Sequence, residues 1–190
     1  MSLRCMPVTP ARWRDLERLF GERGACGGCW CMAWRLAPQA YQAGKGRGNR
    51  LALKRLVVSG RRPGVLAYLD GDPVGWCAIA PRSEYSFLER SRVLRPVDEQ
   101  EVWSVSCFFV LRAFRRSGIS VALLEAAVEL ARRRGARIVE GYPVVPRRTS
   151  LPDIFLWTGA TQAFRRAGFH TVARRSRSRP IVRYLLPRGG

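Results

Sequence analysis

The clearest periodic signal lies between residues 121 and 134. Val121, Leu124, Val128 and Ala131 recur at spacings of three and four, the signature of one buried helix face. Arg132, Arg133 and Arg134 occupy its last turn, where positive charge suits the helix dipole, and Gly135 stops it. Just upstream, residues 102–110 read VWSVSCFFV, apolar on both faces as a central strand is. Two more strands are predicted at Val65 to Leu69 and Val74 to Ala80, joined by the hairpin signal Asp70-Gly71-Asp72. Leu3 to Val8 reads as an edge strand. Thr9 with Pro10 then opens a helix carrying Trp13, Leu16, Leu19 and Phe20 on one face. Asn49 is expected to cap a second helix with Leu53, Leu56 and Val57 inside, ending at Gly60. A helical turn is expected near Tyr85 to Leu88. After the long helix come a strand at Ile138 to Tyr142, a loop over 146–154 and a short helix at Thr158 to Arg166. Two final strands follow at Phe169 to Ala173 and Ile181 to Leu186. No repeat or linker divides the chain, so residues 1–190 are expected to form a single α/β layered domain. Residues 24–48 are the exception to regular patterning: a Gly-rich stretch carrying Trp30, Trp34 and Tyr41, more aromatic than a solvent loop.

Composition narrows the function classes. The 190 residues hold 34 basic and 14 acidic side chains, a formal net charge of +20, and all but Lys45 and Lys54 of the basic residues are arginine. Each half of the chain is about equally basic, so there is no charged tail. An arginine bias of this kind concentrates anionic ligands, phosphorylated cofactors included, around the protein. Nucleic-acid binding stays open as an alternative on the charge alone, although no recognition helix or RNP-like aromatic motif accompanies it. No apolar run approaches the ~20 residues of a spanning helix. The N-terminus also lacks a signal-peptide core, so the expectation is a cytoplasmic protein without a membrane partner. The six cysteines are then expected to be reduced. Cys26, Cys29 and Cys31 have a metal-like spacing, but no second ligand pair follows, so no metal is expected.

The chemistry-bearing motif joins the central strand to the long helix: Arg115-Arg116-Ser117-Gly118-Ile119-Ser120. A helix N-terminus offers free backbone N–H groups and a positive dipole end, and glycine lets an anion approach the backbone. Two flanking arginines add charge and paired donors, which points to a phosphate or pyrophosphate site. The chain has neither a Walker loop nor a dinucleotide fingerprint.

The R-x-x-G-x-(small) signature after a central apolar strand resembles the GNAT superfamily of acyl-CoA-dependent N-acyltransferases. The hairpin before it and Arg166-Ala167-Gly168-Phe169 after it fit the same pattern. The GCWCMAWR and EGYPV stretches look like one bacterial-type subgroup. The resemblance spans about residues 3–187. It implies a mixed, mostly antiparallel sheet of about six to seven strands flanked by about four helices. Residues 3–60 would form the N-terminal and acceptor part, and 102–134 the acetyl-CoA-binding strand, loop and helix. It implies that the pyrophosphate of acetyl-CoA lies on the amides of residues 116–120, beside Arg115 and Arg116. The pantetheine arm would pair with Phe108, Phe109 and Val110, where a bulge splays the strand from its neighbour. The co-substrate would be acetyl-CoA and the acceptor a small-molecule or peptide amine; a homodimer stays open.

Two usual acid–base positions of the family are occupied here by Ser104 and Phe164, neither of which titrates. The substitutes in this sequence are Glu140 and Tyr142, two apart and so on one strand face, with Glu101 as a third. Trp30, Trp34, Arg82 and Tyr85 are the expected walls of an acceptor pocket. The loss of both usual groups keeps a second alternative in play, a CoA-binding regulatory protein without turnover.

Overall fold

A computed structural model describes residues 2–145 and 157–187. The loop expected over 146–154 lies outside the described residues. The rest forms a seven-stranded sheet whose strands are β1 (Leu3–Pro7), β2 (Gly64–Leu69), β3 (Asp72–Pro81), β4 (Trp103–Val110), β5 (Ile138–Gly141), β6 (His170–Ala173) and β7 (Ile181–Leu185). Their order across the sheet is β1-β2-β3-β4-β5-β7-β6, with β1 at an edge as its sequence implies. Every pairing is antiparallel except β4 with β5.

The helices are α1 (Trp13–Phe20), α2 (Pro38–Ala43), α3 (Arg47–Val58), α4 (Ser86–Arg90), α5 (Ile119–Arg133) and α6 (Thr161–Arg166). This exceeds the expected four because α2 forms inside the Gly-rich stretch and α4 extends the expected turn. Asn49 is not the cap of α3. It lies buried within the first turn, and its Nδ2 donates to the carbonyls of Gly28 and Tyr41 at 3.2 and 3.3 Å. That bond ties the aromatic stretch to α3. Gly28 reinforces it, because a Cβ there would overlap the backbone of Gly46, whose N–H donates to the Gly28 carbonyl at 2.9 Å.

Two layers cover the sheet. On one face α5 buries Leu123, Leu124 and Ala127 against Val65, Cys77, Ile79, Val105 and Val139. Gly75 of β3 lets α5 come close, because a Cβ there would lie 3.0 Å from Ile119 and 3.1 Å from Leu123. On the other face α1, α3 and the aromatic stretch bury Trp13, Leu16, Phe20, Trp30 and Leu53 against Leu66, Trp76 and Ala78. Trp76 is fully buried at the centre of that layer. Truncating such a side chain to alanine costs about 3–5 kcal/mol. A third apolar cluster, with Trp34, Tyr85, Leu88, Leu94, Tyr142 and Ile181, closes the same face above β5 and β7.

Candidate active site

The central strand is bulged and splayed. Ala78 pairs with Cys107 and Ile79 with Val105, so Ser106 is an extra residue in β4. The parallel pairing of β4 with β5 runs only from Trp103–Val139 to Val105–Gly141. Beyond it the strands part, and the splay opens beside Phe108 and Val110. Strand alternation directs the Leu111 N–H to Val74 on β3 at 3.0 Å, and the Phe108 N–H to the other side. Phe109 therefore turns its backbone groups to β3, and the splay is lined by those of Phe108 and Val110. In this structure the Phe108 N–H is not idle: it donates to the Trp157 carbonyl at 2.6 Å.

The loop after β4 builds a cleft. Arg116 has φ +63° and Gly118, the residue before α5, has φ +86°. The left-handed conformation at Gly118 is the one glycine tolerates without a Cβ penalty. A Cβ at Gly118 would meet nothing within 4 Å, so the space above the α5 N-terminus is open. The Ser117 hydroxyl donates to the Phe114 carbonyl at 2.6 Å and the Arg115 Nε to the Val110 carbonyl at 3.0 Å, which fixes the loop to the end of β4. The resulting cleft of about 180 Å³ is lined by Val110, Arg115, Arg116, Gly118, Ile119 and Ser120 on one side, and by Ala160, Gln162, Ala163 and Arg166 on the other. The sequence reading missed the α6 side. Its only signal was the basic end of a short helix, with nothing local to say which element α6 would face.

Behind the splay lies a buried polar network. Glu140 of β5 has no exposed surface. Its Oε1 accepts from the Tyr142 hydroxyl at 2.7 Å and from Arg82 at 3.2 Å, and its Oε2 accepts from Arg183 Nε at 2.8 Å. With the Tyr142 proton committed to Glu140, the phenol oxygen accepts from Arg82 at 2.8 Å and from the Ser104 hydroxyl at 2.8 Å. Arg183 also binds Asp98 through two nitrogens, at 2.6 and 3.0 Å. Burial first, and the adjacent Glu140 charge second, hold the Tyr142 phenol well above its usual range, so it is protonated at neutral pH. Hydrogen bonding from Arg183 brings the Asp98 carboxyl down to about 2.

The catalytic candidates do not all meet. Glu140 and Tyr142 share one hydrogen bond, and Tyr142 directly follows the last paired residue of β5, at the apex of the splay. Glu101 is exposed and precedes β4, five residues along the chain from Ser106. At strand rise that is about 16 Å, too far to touch the apex.

The four expected pocket walls all lie inside the protein. Arg82 is only 8% exposed and turns inward, donating also to the Leu88 and Leu94 carbonyls. Trp30 fills the core between Trp13 and Phe20. Tyr85 is fully buried, its hydroxyl accepts from Arg35 at 3.3 Å, and burial pushes it up to about 12. Trp34 stacks on Phe87 at 5.0 Å and contacts Tyr142 and Trp157. The physical reason is common to them: the sheet face above β3–β5 needs covering, and these are the largest side chains near it. Trp34 alone of the four touches both the apex and the Trp157 segment.

Comparisons with known proteins agree with this architecture. The family model described as Acetyltransferase (GNAT) family matches residues 30–147. No match was found among curated proteins. Among solved structures, the PaiA N-acetyltransferase of Thermoplasma acidophilum in complex with coenzyme A is 13% identical, with a TM-score of 0.53, covering 98% of this chain and 100% of that one. A GNAT-family acetyltransferase of Listeria monocytogenes is 11% identical with a TM-score of 0.58, covering 97% and 95%. A Salmonella typhimurium protein solved with its cofactor acetyl-CoA is 12% identical with a TM-score of 0.56, covering 100% and 96%. At these identities the likeness concerns the fold. The match of the family model over more than half of the sequence carries the assignment, and the chain belongs to the GNAT family of acetyltransferases.

Proposed function

We propose that the protein transfers an acetyl group from acetyl-CoA to the amine of a small molecule or peptide, by direct attack within a ternary complex. The observation that carries this reading is the bulge at Ser106 with the splay beside it, ending in an Arg-Arg-Ser-Gly loop at a helix N-terminus. The open space above Gly118 and the arginines around the cleft fit a pyrophosphate. Arg115, Arg116 and the amides of Ser117 to Ser120 hold it, with Arg166 facing them from α6. Phe108 and Val110 pair with the pantetheine amides, which requires the Trp157 carbonyl to give up the Phe108 N–H.

The thioester supplies the acetyl group, and its carbonyl is polarised by a backbone N–H in the splay. The chain's own contribution to proton movement is centred on Tyr142. A neutral phenol at the apex is a donor: turning its hydroxyl from Glu140 toward the sulfur, it protonates the departing thiolate. Arg82, at 2.8 Å, stabilises the phenolate left behind, which regains its proton from the amine nitrogen as the amide forms. Glu140 orients the hydroxyl and anchors Arg82 and Arg183. Trp34, against Tyr142, borders the side from which the amine enters.

The test is free-thiol release from acetyl-CoA across a panel of amines. Tyr142→Phe is expected to lower kcat by about 10²-fold with the KM for acetyl-CoA unchanged, in the range of a lost general acid. An equal rate in the variant would remove Tyr142 from the mechanism. A second reading, a CoA-binding regulator without turnover, draws on Ser104 and Phe164, both fully buried at the positions of the family's usual acid–base pair. Coenzyme A binding without thiol release for any amine would favour it.

A further inference from the structure

Two thiols meet at a place that the proposed chemistry does not use, with a third cysteine close by in sequence. Cys29 and Cys31 belong to the aromatic turn that follows α1, and Cys107 belongs to β4, one residue after the bulge. The Cys31 and Cys107 sulfurs lie 2.9 Å apart although the residues are 76 apart in sequence. Cys31 is 6% exposed and Cys107 8%. Cys29, half-buried and two residues before Cys31, donates its thiol proton to the Gly24 carbonyl at 3.7 Å. Trp30 and Cys31 both hold left-handed backbone, φ +46° and +53°, which is rare for successive residues with side chains. That conformation brings the Cys31 sulfur against the strand.

The separation distinguishes two kinds of chemistry. Two thiolates on one tetrahedral zinc, at about 2.3 Å each, sit about 3.8 Å apart. At 2.9 Å the sulfurs are too close for a bridging ion and within about 0.9 Å of a disulfide bond of about 2.05 Å. Among the described residues no group of three or more metal-ligating side chains is arranged around an ion site.

We propose that Cys31 and Cys107 are a modification site: a peroxide joins them in a reversible disulfide that clamps the aromatic turn onto β4. In the first step one sulfur, as thiolate, attacks the peroxide, the O–O bond breaks, and a sulfenic acid and water result. In the second, the other sulfur displaces the hydroxyl from the sulfenic sulfur, the S–S bond forms, and the second water leaves. Two electrons from the two thiols reduce one peroxide to two waters, so no further reagent is needed. Burial, with the Cys107 hydrogen bond adding to it, pushes the Cys31 thiol well up. Both sulfurs are also shielded from solvent, which restricts peroxide access, so the first step is slow and the site responds to sustained peroxide, not to a brief pulse. On the acetyl-transfer reading, the clamp grips the strand that pairs with pantetheine.

The experiment uses the whole native chain. It is incubated with hydrogen peroxide, quenched with catalase, unfolded in N-ethylmaleimide and weighed. Reduced protein is expected to carry six adducts, one for each of the six cysteines. Oxidised protein is expected to carry four, with the Cys31 and Cys107 peptides linked, and a phosphine reductant restores six. Cys107→Ser, treated alike, is expected to carry adducts on all five remaining cysteines. Six adducts after oxidation, a link confined to Cys26 and Cys29, or added oxygen in place of a link would each overturn the site. The wild-type peptide map decides the matter even where a variant folds poorly. It needs no coenzyme A, so its failure is distinct from a failure of acetyl transfer.

Discussion

Glu140 has no spare lone pair facing solvent. Its oxygens sit between Arg82, Arg183 and the Tyr142 hydroxyl, at 3.2, 2.8 and 2.7 Å. Removing one member of such a buried cluster strands the others without a counter-charge. Glu140→Gln is therefore expected to lose about 3 kcal/mol in a urea titration, in the range seen when a buried ion pair is broken. A variant as stable as the wild type would mean that the network is solvated. Asp98, at the outer end of the network, adds a pH dependence. Its carboxyl is held at about 2 in the folded protein against an ordinary 3.8. A depressed folded value contributes stability that is present above the unfolded value and is lost as pH falls through about 2. Asp98→Asn should be less stable at pH 5 and lose stability less steeply between pH 4 and 2. Glu129, also held near 2 by Arg132 and Arg133, leaves part of that slope in place.

The critical element is the segment from Trp157 to Thr161. Its Gly159 carbonyl accepts from Val144 at 2.9 Å, and its Trp157 carbonyl accepts from Phe108 at 2.6 Å. It thus bridges the diverging continuations of β4 and β5. Gly159 permits this, since a Cβ there would press on the rings of Phe164 and Phe108. A pantetheine arm that pairs with Phe108 competes for the same N–H, so acetyl-CoA should move the Trp157 ring off Trp34. Binding is expected to change tryptophan fluorescence in the wild type and far less in Trp157→Phe. The same change in both would mean that pantetheine pairs elsewhere and the bridge persists. The α5 N-terminus is the stable counterpart. It is set by a left-handed Gly118, by the Arg115 bond to the end of β4 and by close packing on Gly75.

At the scale of the molecule, the +20 charge and the cleft between α5 and α6 act together. Acetyl-CoA at ~100 times its dissociation constant should stabilise the fold by about 2.7 kcal/mol. For a domain of this size that is a rise in Tm of roughly 5–11 °C. Coenzyme A should give a similar rise and ATP much less, because only the first two carry pantetheine for the splay. Salt should slow association more than dissociation, since the distributed arginines act at long range and are screened. A rise with ATP equal to that with coenzyme A would reduce the cleft to a general polyphosphate site.

How much of this was legible beforehand depends on how local the physics is. Periodicity and punctuation placed the strands and the long helix. The turn from β4 into α5 was readable as well, because a glycine between a strand and a helix, flanked by arginines, is a contiguous signal. Asn49 was misplaced by a few residues, since capping preference cannot anticipate that a buried amide will serve the carbonyls of a distant loop. Trp30, Arg82 and Tyr85 were read as pocket walls, because a sequence shows that a large side chain is present but not which way it turns.

From local interactions alone, the chain settled the order of its elements and the left-handed glycine turn that opens α5. The tertiary structure decided the remainder. It put an extra residue into β4 at Ser106, joined Arg82, Glu140, Tyr142 and Arg183 into one network, set Arg166 across the cleft, and brought Cys31 to Cys107. Each of these joins positions far apart in the chain. Each is selected by the need to bury apolar surface while pairing every charge carried inside with it, a condition that only the whole fold can satisfy.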